Sequence, residues 1–366
     1  MAILPRYILI EFLKLLMVIL TALLMIFITI FFLERISWFS EGQVPFFLVV
    51  QYFLLKLPKM ISDLMPLALF LSSLLTIALL SKNNELIPMM GSGMSMAEIT
   101  IPMLLFGMAI SCIFFFLNGS YVPATYKAAR VIQKEKIEKR GIGGTFVQNK
   151  IWIRLSGKVL LNTKLIDAEK KKLAGVHFYY LGHEQPIDTE IEAEMLNFEK
   201  GQWILLNGVQ IDYQKDGTAL RTPFVRKEMQ IEKTVLELQR MEVEPDEMTY
   251  GQLQSYINQL EKDGLKSTRY QVDLDRKQTF SLSNFVVVLL GVTTAFLYAA
   301  QKQRAISKST LIGLAIFLLY WLSLSATLSL GRTEQLSPLQ AGFLPHILFL
   351  LFGGYQFLKL HSTTKR

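Results

Sequence analysis

The chain has 366 residues, of which 51% are hydrophobic and only 19% charged, with a net charge of +8 and one cysteine. Soluble domains carry about 25% charged residues, and this apolar content excludes intrinsic disorder. Cys112 has no partner within the chain, which excludes a disulfide-stapled fold. The charge shortage is uneven: residues 127–277 hold 25 Lys+Arg and 23 Asp+Glu, whereas the rest of the chain holds 13 and 7. The basic excess therefore lies in the apolar segments, which argues against a nucleic-acid partner despite a pI of about 9.3.

A helix rises about 1.5 Å per residue, so roughly 20 apolar residues cross a membrane. Charge-free runs of that kind lie at 15–33, 64–81, 99–126, 278–301, 309–331 and 335–358, which predicts six membrane helices, three on either side of an inserted domain. The apolar stretch 42–55 reads either as an interfacial segment or as a tilted start of the second span, kinked at Pro58 and Pro66. Nine of the Lys/Arg outside residues 127–277 fall on the N-terminal side of the membrane and four on the other, namely Arg35, Lys56, Lys59 and Arg332. The positive-inside bias then puts both termini in the cytoplasm and the inserted domain outside, in the periplasm of a two-membrane bacterium. No small-x-small site follows the first apolar run, so residues 1–33 are expected to stay attached.

The expected organisation is a membrane half over 1–126, with a short cytoplasmic helix near 82–97, a β domain over 127–248, a helical connection over 249–277 and a second membrane half over 278–366. Within the β domain, Val159-Leu160-Leu161, residues 175–180, 203–206 and 209–213 are β-rich runs. Asn207-Gly208 and Asp216-Gly217 suit tight turns, which predicts two strands separated by the first pair. Short strands spaced by turns suggest a sandwich or jelly roll. Residues 249–262 read as a helix with Thr249 as N-cap and Gly264 as its stop.

Catalytic and metal motifs are missing. No phosphate-cradling G-x-x-x-x-G-K-[ST] occurs, since Gly157-Lys158 is followed by Val159, so the chain is not expected to hydrolyse ATP. His177, His183, His346 and His361 are scattered, no metal is predicted, and His177 reads as a packed or surface residue of a strand. No nucleophile elbow is present. The six runs hold no charged residue, which argues against proton-driven antiport. No enzyme and no cofactor are expected.

The connection between spans two and three is too apolar for a solvated loop. Leu86, Ile87, Met89, Met90, Met94 and Met96 would form a sticky face on a short helix, fitted either to a partner protein or to the lipid interface. Glu85 would accept hydrogen bonds from a partner or stand as a surface charge near a helix start.

Here the chain resembles the lipopolysaccharide export permease family, LptF and LptG. The family's Glu-Leu-x-x-Met-x-x-x-Gly pattern is matched by Glu85-Leu86, Met89 and Gly93, and its Arg-Tyr lead-in with a later Lys by Arg269-Tyr270 and Lys277. The layout of three spans, an inserted β domain and three spans is also the family's, so the resemblance covers essentially the whole chain. The opening Leu4-Pro5-Arg6-Tyr7-Ile8 and the Arg-Tyr lead-in are closer to the LptG branch. One departure is Ser281-Leu282-Ser283 where the family has Pro-Leu-Ser at the start of span four.

The resemblance implies a membrane α-helical fold with six transmembrane helices and an inserted periplasmic β-jellyroll. It implies an inner-membrane permease that pairs with a homologous subunit as an LptF/LptG heterodimer. A cytoplasmic ATPase dimer, LptB, would bind the ATP, and the further partners would be membrane-anchored LptC and the periplasmic bridge LptA. Glu85, Leu86, Met89 and Gly93 would form the coupling element in the ATPase groove. Lipopolysaccharide would leave through the apolar interior of the jellyroll, past lateral gates formed by spans one and five. A phosphate-bearing lipid needs an apolar pocket capped by cations, and Arg35, Arg332, Lys56 and Lys59 are the candidates for its head group; the plain alternative is that all four snorkel at the interface. Two other readings compete: a permease of another ABC exporter, for lipoproteins or other amphiphiles, and a membrane-tethered periplasmic hydrolase.

Overall fold

The computed structural model describes residues 3–36, 44–137, 145–156, 159–167, 172–181, 187–199, 202–214, 218–229, 231, 244–262, 266–299 and 305–364. The first membrane half holds α1 (Ile3–Glu34), α2 (Phe46–Lys82), the short α3 (Leu86–Gly91), α4 (Met96–Gly119) and α5 (Tyr121–Val131), which runs on into a π turn, Ile132–Ile137. The second holds α6 (Tyr250–Lys262), α7 (Thr268–Thr279), α8 (Ser283–Tyr298), α9 (Ala305–Arg332) and α10 (Pro338–Thr364). Among the described residues, six helices are long and apolar enough to cross a membrane: Ile3–Glu34, Phe46–Lys82, Met96–Gly119, Thr268–Tyr298, Ile306–Arg332 and Pro338–Ser362.

The 42–55 stretch resolves in favour of the long second span. From Phe46 it forms the first turns of α2, which passes through both Pro58 and Pro66 without ending. A proline inside a helix frees a carbonyl, and within a membrane bundle neighbouring helices make that tolerable. Between α7 and α8 the missing family proline is replaced by one 3-10 turn, Phe280–Leu282, with the Ser283 hydroxyl donating to the Phe280 carbonyl at 2.5 Å. Thr249 caps α6 as its sequence suggests: its hydroxyl accepts from the Gln252 amide, and the Gln252 side chain accepts from the Thr249 amide. Gly264 lies outside the described residues, as does His183.

The centre of the bundle is the contact of α2 with α8. Small residues make it possible. Ser72, Ser73 and Thr76 are buried on α2, and their hydroxyls donate back to carbonyls of their own helix at 3.1, 2.9 and 2.6 Å. They thus present little bulk and no unmet donor to the neighbour. Opposite them, a Cβ on Gly291 would lie 2.1 Å from the Ser73 hydroxyl and 2.8 Å from the Phe70 carbonyl oxygen. Gly313 brings α9 against Leu74, and Gly107 brings α4 against Val288. α1 behaves differently. Ile8, Phe12 and Leu16 are buried, whereas Met17, Val18, Met25, Ile26, Ile30 and Leu33 are at least half exposed.

The inserted domain carries one antiparallel sheet of six strands in sequential order: β1 (Thr145–Ser156), β2 (Val159–Asp167), β3 (Lys172–Tyr180), β4 (Thr189–Glu199), β5 (Gln202–Tyr213) and β6 (Ala219–Met229). Its core gathers Leu161, Leu173, Val176, Phe178, Ile191, Leu196, Trp203 and Leu205. The expectation of a turn at Asn207-Gly208 is corrected: both residues lie inside the single strand β5. Asn207 has a φ of +50°, the left-handed backbone that makes Asn-Gly a turn signal, but here it interrupts the ladder at one position with the register unchanged and does not reverse the chain. Pairing steps over it, from Met195↔Leu206 to Ala193↔Gly208, and on β3 it steps over Gly175, whose φ is +58°. These skipped positions line up as a crease across the sheet. On one side Val176 and Phe178 point into the core and on the other Leu173 does, a change of parity that only the crease allows. Asp216-Gly217 falls outside the described residues between β5 and β6.

Gly291→Leu should force α8 away from α2 at a cost of about 1–3 kcal/mol. Thermal unfolding of the full chain in detergent should show a lowered midpoint, while Gly354→Ala, where an added Cβ meets nothing within 4 Å, should leave it in place.

Candidate functional site

The predicted coupling residues meet at one end of the bundle. α2 ends at Lys82, Asn84 takes a φ of +58°, and Glu85 occupies the position before α3. Its carboxylate accepts the Tyr7 hydroxyl of α1 at 2.8 Å and the Asn83 side-chain amide at 3.2 Å. Leu86 and Met89, 2% and 7% exposed, are anchored in the main core, and Gly93 supplies a φ of +94° where the chain turns towards α4. Ser95 then opens α4 with a capping box to Glu98. The expected single sticky face is corrected, because it divides. Leu86, Met89 and Met96 are buried, Met90 and Met94 pack beside them, and Ile87 is left outward at 56% exposure with Pro88 beside it. The outward surface of this turn is therefore Glu85, Ile87 and Pro88, held from behind.

At the opposite end, α1 and α2 flank an apolar groove of about 380 Å³, lined by Ile28, Phe32, Val49, Val50, Phe53 and Leu57 among others. The four predicted head-group cations divide here into two pairs. Lys56, 9% exposed, sets its ammonium 3.2 Å above the centre of the Phe31 ring and donates to the Tyr52 hydroxyl at 3.0 Å. The Arg35 guanidinium lies 5.9 Å from the same ring. Phe31 thus gathers two cations one residue from the groove wall. Lys59 and Arg332 are engaged elsewhere: Lys59 lies 3.1 Å from Asp63 and 3.4 Å from Asp246, and Arg332 lies 2.5 Å from Asp273.

Those carboxylates belong to an ionic girdle that the sequence does not reveal. Asp246, in the 3-10 turn Pro245–Glu247, also takes Arg276 of α7, while Arg130 of α5 takes Glu247 at 2.8 Å and Glu244. Burial alone would raise the Asp246 carboxyl, but Arg276, Lys59 and Lys277 outweigh it and hold it below its ordinary value of 3.8. Burial likewise works against the charge on Arg130, and its hydrogen bond to Glu247 with the nearby Glu244 more than compensates. In the sheet, His177 lies 3.7 Å from Glu190 and 3.8 Å from Glu192 and stacks on Tyr179; no metal-holding cluster occurs among the described residues. Sequence reading also missed the buried pair of Tyr320 and His346, 2.8 Å apart between α9 and α10, for which a histidine in an otherwise uncharged span was the available signal.

A carboxyl with a lowered folded pKa contributes stability that is complete above the unfolded value and lost as the pH falls through the folded one. The Asp246 contacts of the girdle should therefore hold at neutral pH and loosen as the pH falls below about 4. Hydrogen exchange in residues 244–262 should rise in that acid range, and Asp246→Asn should raise it already at pH 7.

A family model described as lipopolysaccharide export system permease LptF/LptG matches residues 6–359. The lipopolysaccharide export system permease protein LptG of Escherichia coli K12 is 21% identical over 332 residues, covering 87% of this chain and 88% of that protein. The LptG protein of Escherichia coli O6:H1 aligns with the same identity and coverage. Because the family match spans both membrane halves, the β domain and the coupling turn, the chain belongs to the LptF/LptG family of lipopolysaccharide export system permeases.

Proposed function

We propose that the chain is the LptG-like subunit of an ABC transporter that extracts lipopolysaccharide from the inner membrane and passes it through its periplasmic β domain towards the outer membrane. The observation that carries the reading is the α1–α2 groove, an apolar trough with Lys56 and Arg35 gathered on Phe31 beside it. Acyl chains fit the trough and a phosphate fits the cations. Lys59 and Arg332, already ion-paired, are second in rank for the head group.

The same two helices meet the coupling turn at their other ends. α3 follows α2 directly, and Glu85 holds the Tyr7 hydroxyl of α1. A push on the outward surface of α3 therefore reaches both walls of the groove, one through the Leu86 and Met89 anchors and one through Tyr7. That push would come from a separate cytoplasmic ATPase dimer, LptB, which binds the ATP. The exposed apolar lengths of α1 and of α9, where Leu311, Leu318, Leu319 and Leu322 are each more than half exposed, suit a homologous permease partner. LptC and the LptA bridge would receive the lipid from the inner face of the sheet, where Phe178 and Tyr180 project.

Lys56→Gln should lower the lipopolysaccharide that co-purifies with the assembled transporter by about tenfold, the worth of one charge-assisted contact. Unchanged lipid content would remove Lys56 from the site, and a transporter without lipopolysaccharide under any condition would remove the function. Glu85→Ala should weaken co-purification of the ATPase, with Tyr7→Phe showing a smaller loss; ATPase recovery equal to wild type would end the coupling role of the turn.

A further inference from the structure

Lys277 closes the Arg269–Lys277 motif, and the transport reading gives it no task. It lies on the last turn of α7, half-buried. Its neighbour Arg276 is taken by Asp246 and Asp273, whereas Lys277 joins no hydrogen bond or ion pair among the described residues. Two cavities meet at its side chain. One is polar and small, about 40 Å³, shared with Lys59, Asp63, Asn118, Asp246 and Arg276. The other is apolar, about 340 Å³, lined by Phe115, Phe116, Gly119, Ser120, Tyr250 and Gln278.

The apolar pocket lies where α4 ends and α6 begins. Phe115 and Phe116 are 45% and 72% exposed on a helix that crosses the membrane, and α4 stops at Gly119. Tyr121, 55% exposed, and Tyr250 follow at the span's end, the level at which tyrosine collects at a membrane surface. Of the three cations around the two cavities, Lys59 and Arg276 pair with Asp63, Asp246 and Asp273, while Lys277 makes no ion pair among the described residues. A pocket of this size holds one small ligand or the upper part of a two-chain lipid, not a multi-chain glycolipid. It shares no lining residue with the α1–α2 groove.

We propose that this pocket binds an anionic phospholipid of the surrounding bilayer, with its phosphate on the Lys277 ammonium, the Gln278 amide beside it, and its acyl chains over Phe115 and Phe116. The bound lipid fills the break between α4 and α6 and fastens α6 to the bundle. The site requires only that the chain crosses a bilayer, so it stands or falls separately from the transport reading.

Native mass spectrometry of the full chain, purified in detergent and mixed with phosphatidylglycerol or phosphatidylcholine, tests this. The wild type should retain one phosphatidylglycerol in preference to phosphatidylcholine. Lys277→Gln should reduce that occupancy about tenfold, the usual worth of a charge-assisted contact, and Lys277→Arg should restore it. Phe116→Ser, at a site too exposed to affect folding, should lower retention of both lipids and gives an independent reading if Lys277→Gln fails to fold. Equal phosphatidylglycerol retention by the wild type and by folded Lys277→Gln, or by Phe116→Ser, would overturn the proposal. So would a Lys277→Gln chain that loses lipopolysaccharide while keeping phosphatidylglycerol, since the pocket would then belong to the transported lipid.

Discussion

In hydrocarbon a leucine gains little by leaving lipid for another leucine, so membrane helices are held by how closely they fit. In this chain the closest fit is that of Gly291 against Phe70 and Ser73, and the rest of the membrane half is arranged around it. α8 is set on α2 there, α9 is brought in by Gly313 against Leu74, and α10 meets α9 where Gly331 abuts Ala341. With α2 fixed along its middle, its two ends become the places where something can happen. One end leads into the coupling turn and the other forms a wall of the groove. The helix is thus held at its centre and open to contact at both ends.

The charged residues at the β-domain end of the bundle show a second constraint. Ions at the edge of a membrane domain are costly unless paired. Lys59, Asp63, Asp246, Arg276, Asp273 and Arg332 solve this together, joining α2, the 3-10 turn, α7 and α9. The strands pack chiefly on one another and on their own core. The girdle is thus what ties the returning chain to the bundle below it. Lys56 stands apart from the girdle, over the Phe31 ring, while Lys277 adds its charge to the field on Asp246 from between two cavities.

Much of the architecture was legible because membrane helices announce themselves through charge-free runs that local composition alone reveals. The six spans, the inserted β domain and the Thr249 cap are all of this local kind. What was not legible depends on contacts between distant residues. Nothing in the sequence couples Asp273 to Arg332, or shows that Leu86 and Met89 turn inward while Ile87 turns out. Likewise, the four candidate cations look equivalent until Lys59 and Arg332 are seen to have carboxylates of their own. The error at Asn207-Gly208 is instructive for a different reason. An Asn-Gly pair favours left-handed backbone, and Asn207 adopts it, but whether such a residue reverses a strand or bends it depends on the partner strands.

That bend has a bearing on the shape of the sheet. Along the line through Gly175 and Asn207 the ladder is already interrupted, in β3 and β5 alike. The strips on either side keep their own pairings and their own apolar residues, Phe178 and Ile191 on one and Leu196 and Trp203 on the other. Both sets nonetheless meet in a single apolar core, so the crease fixes the curve of the sheet while every strand keeps its register.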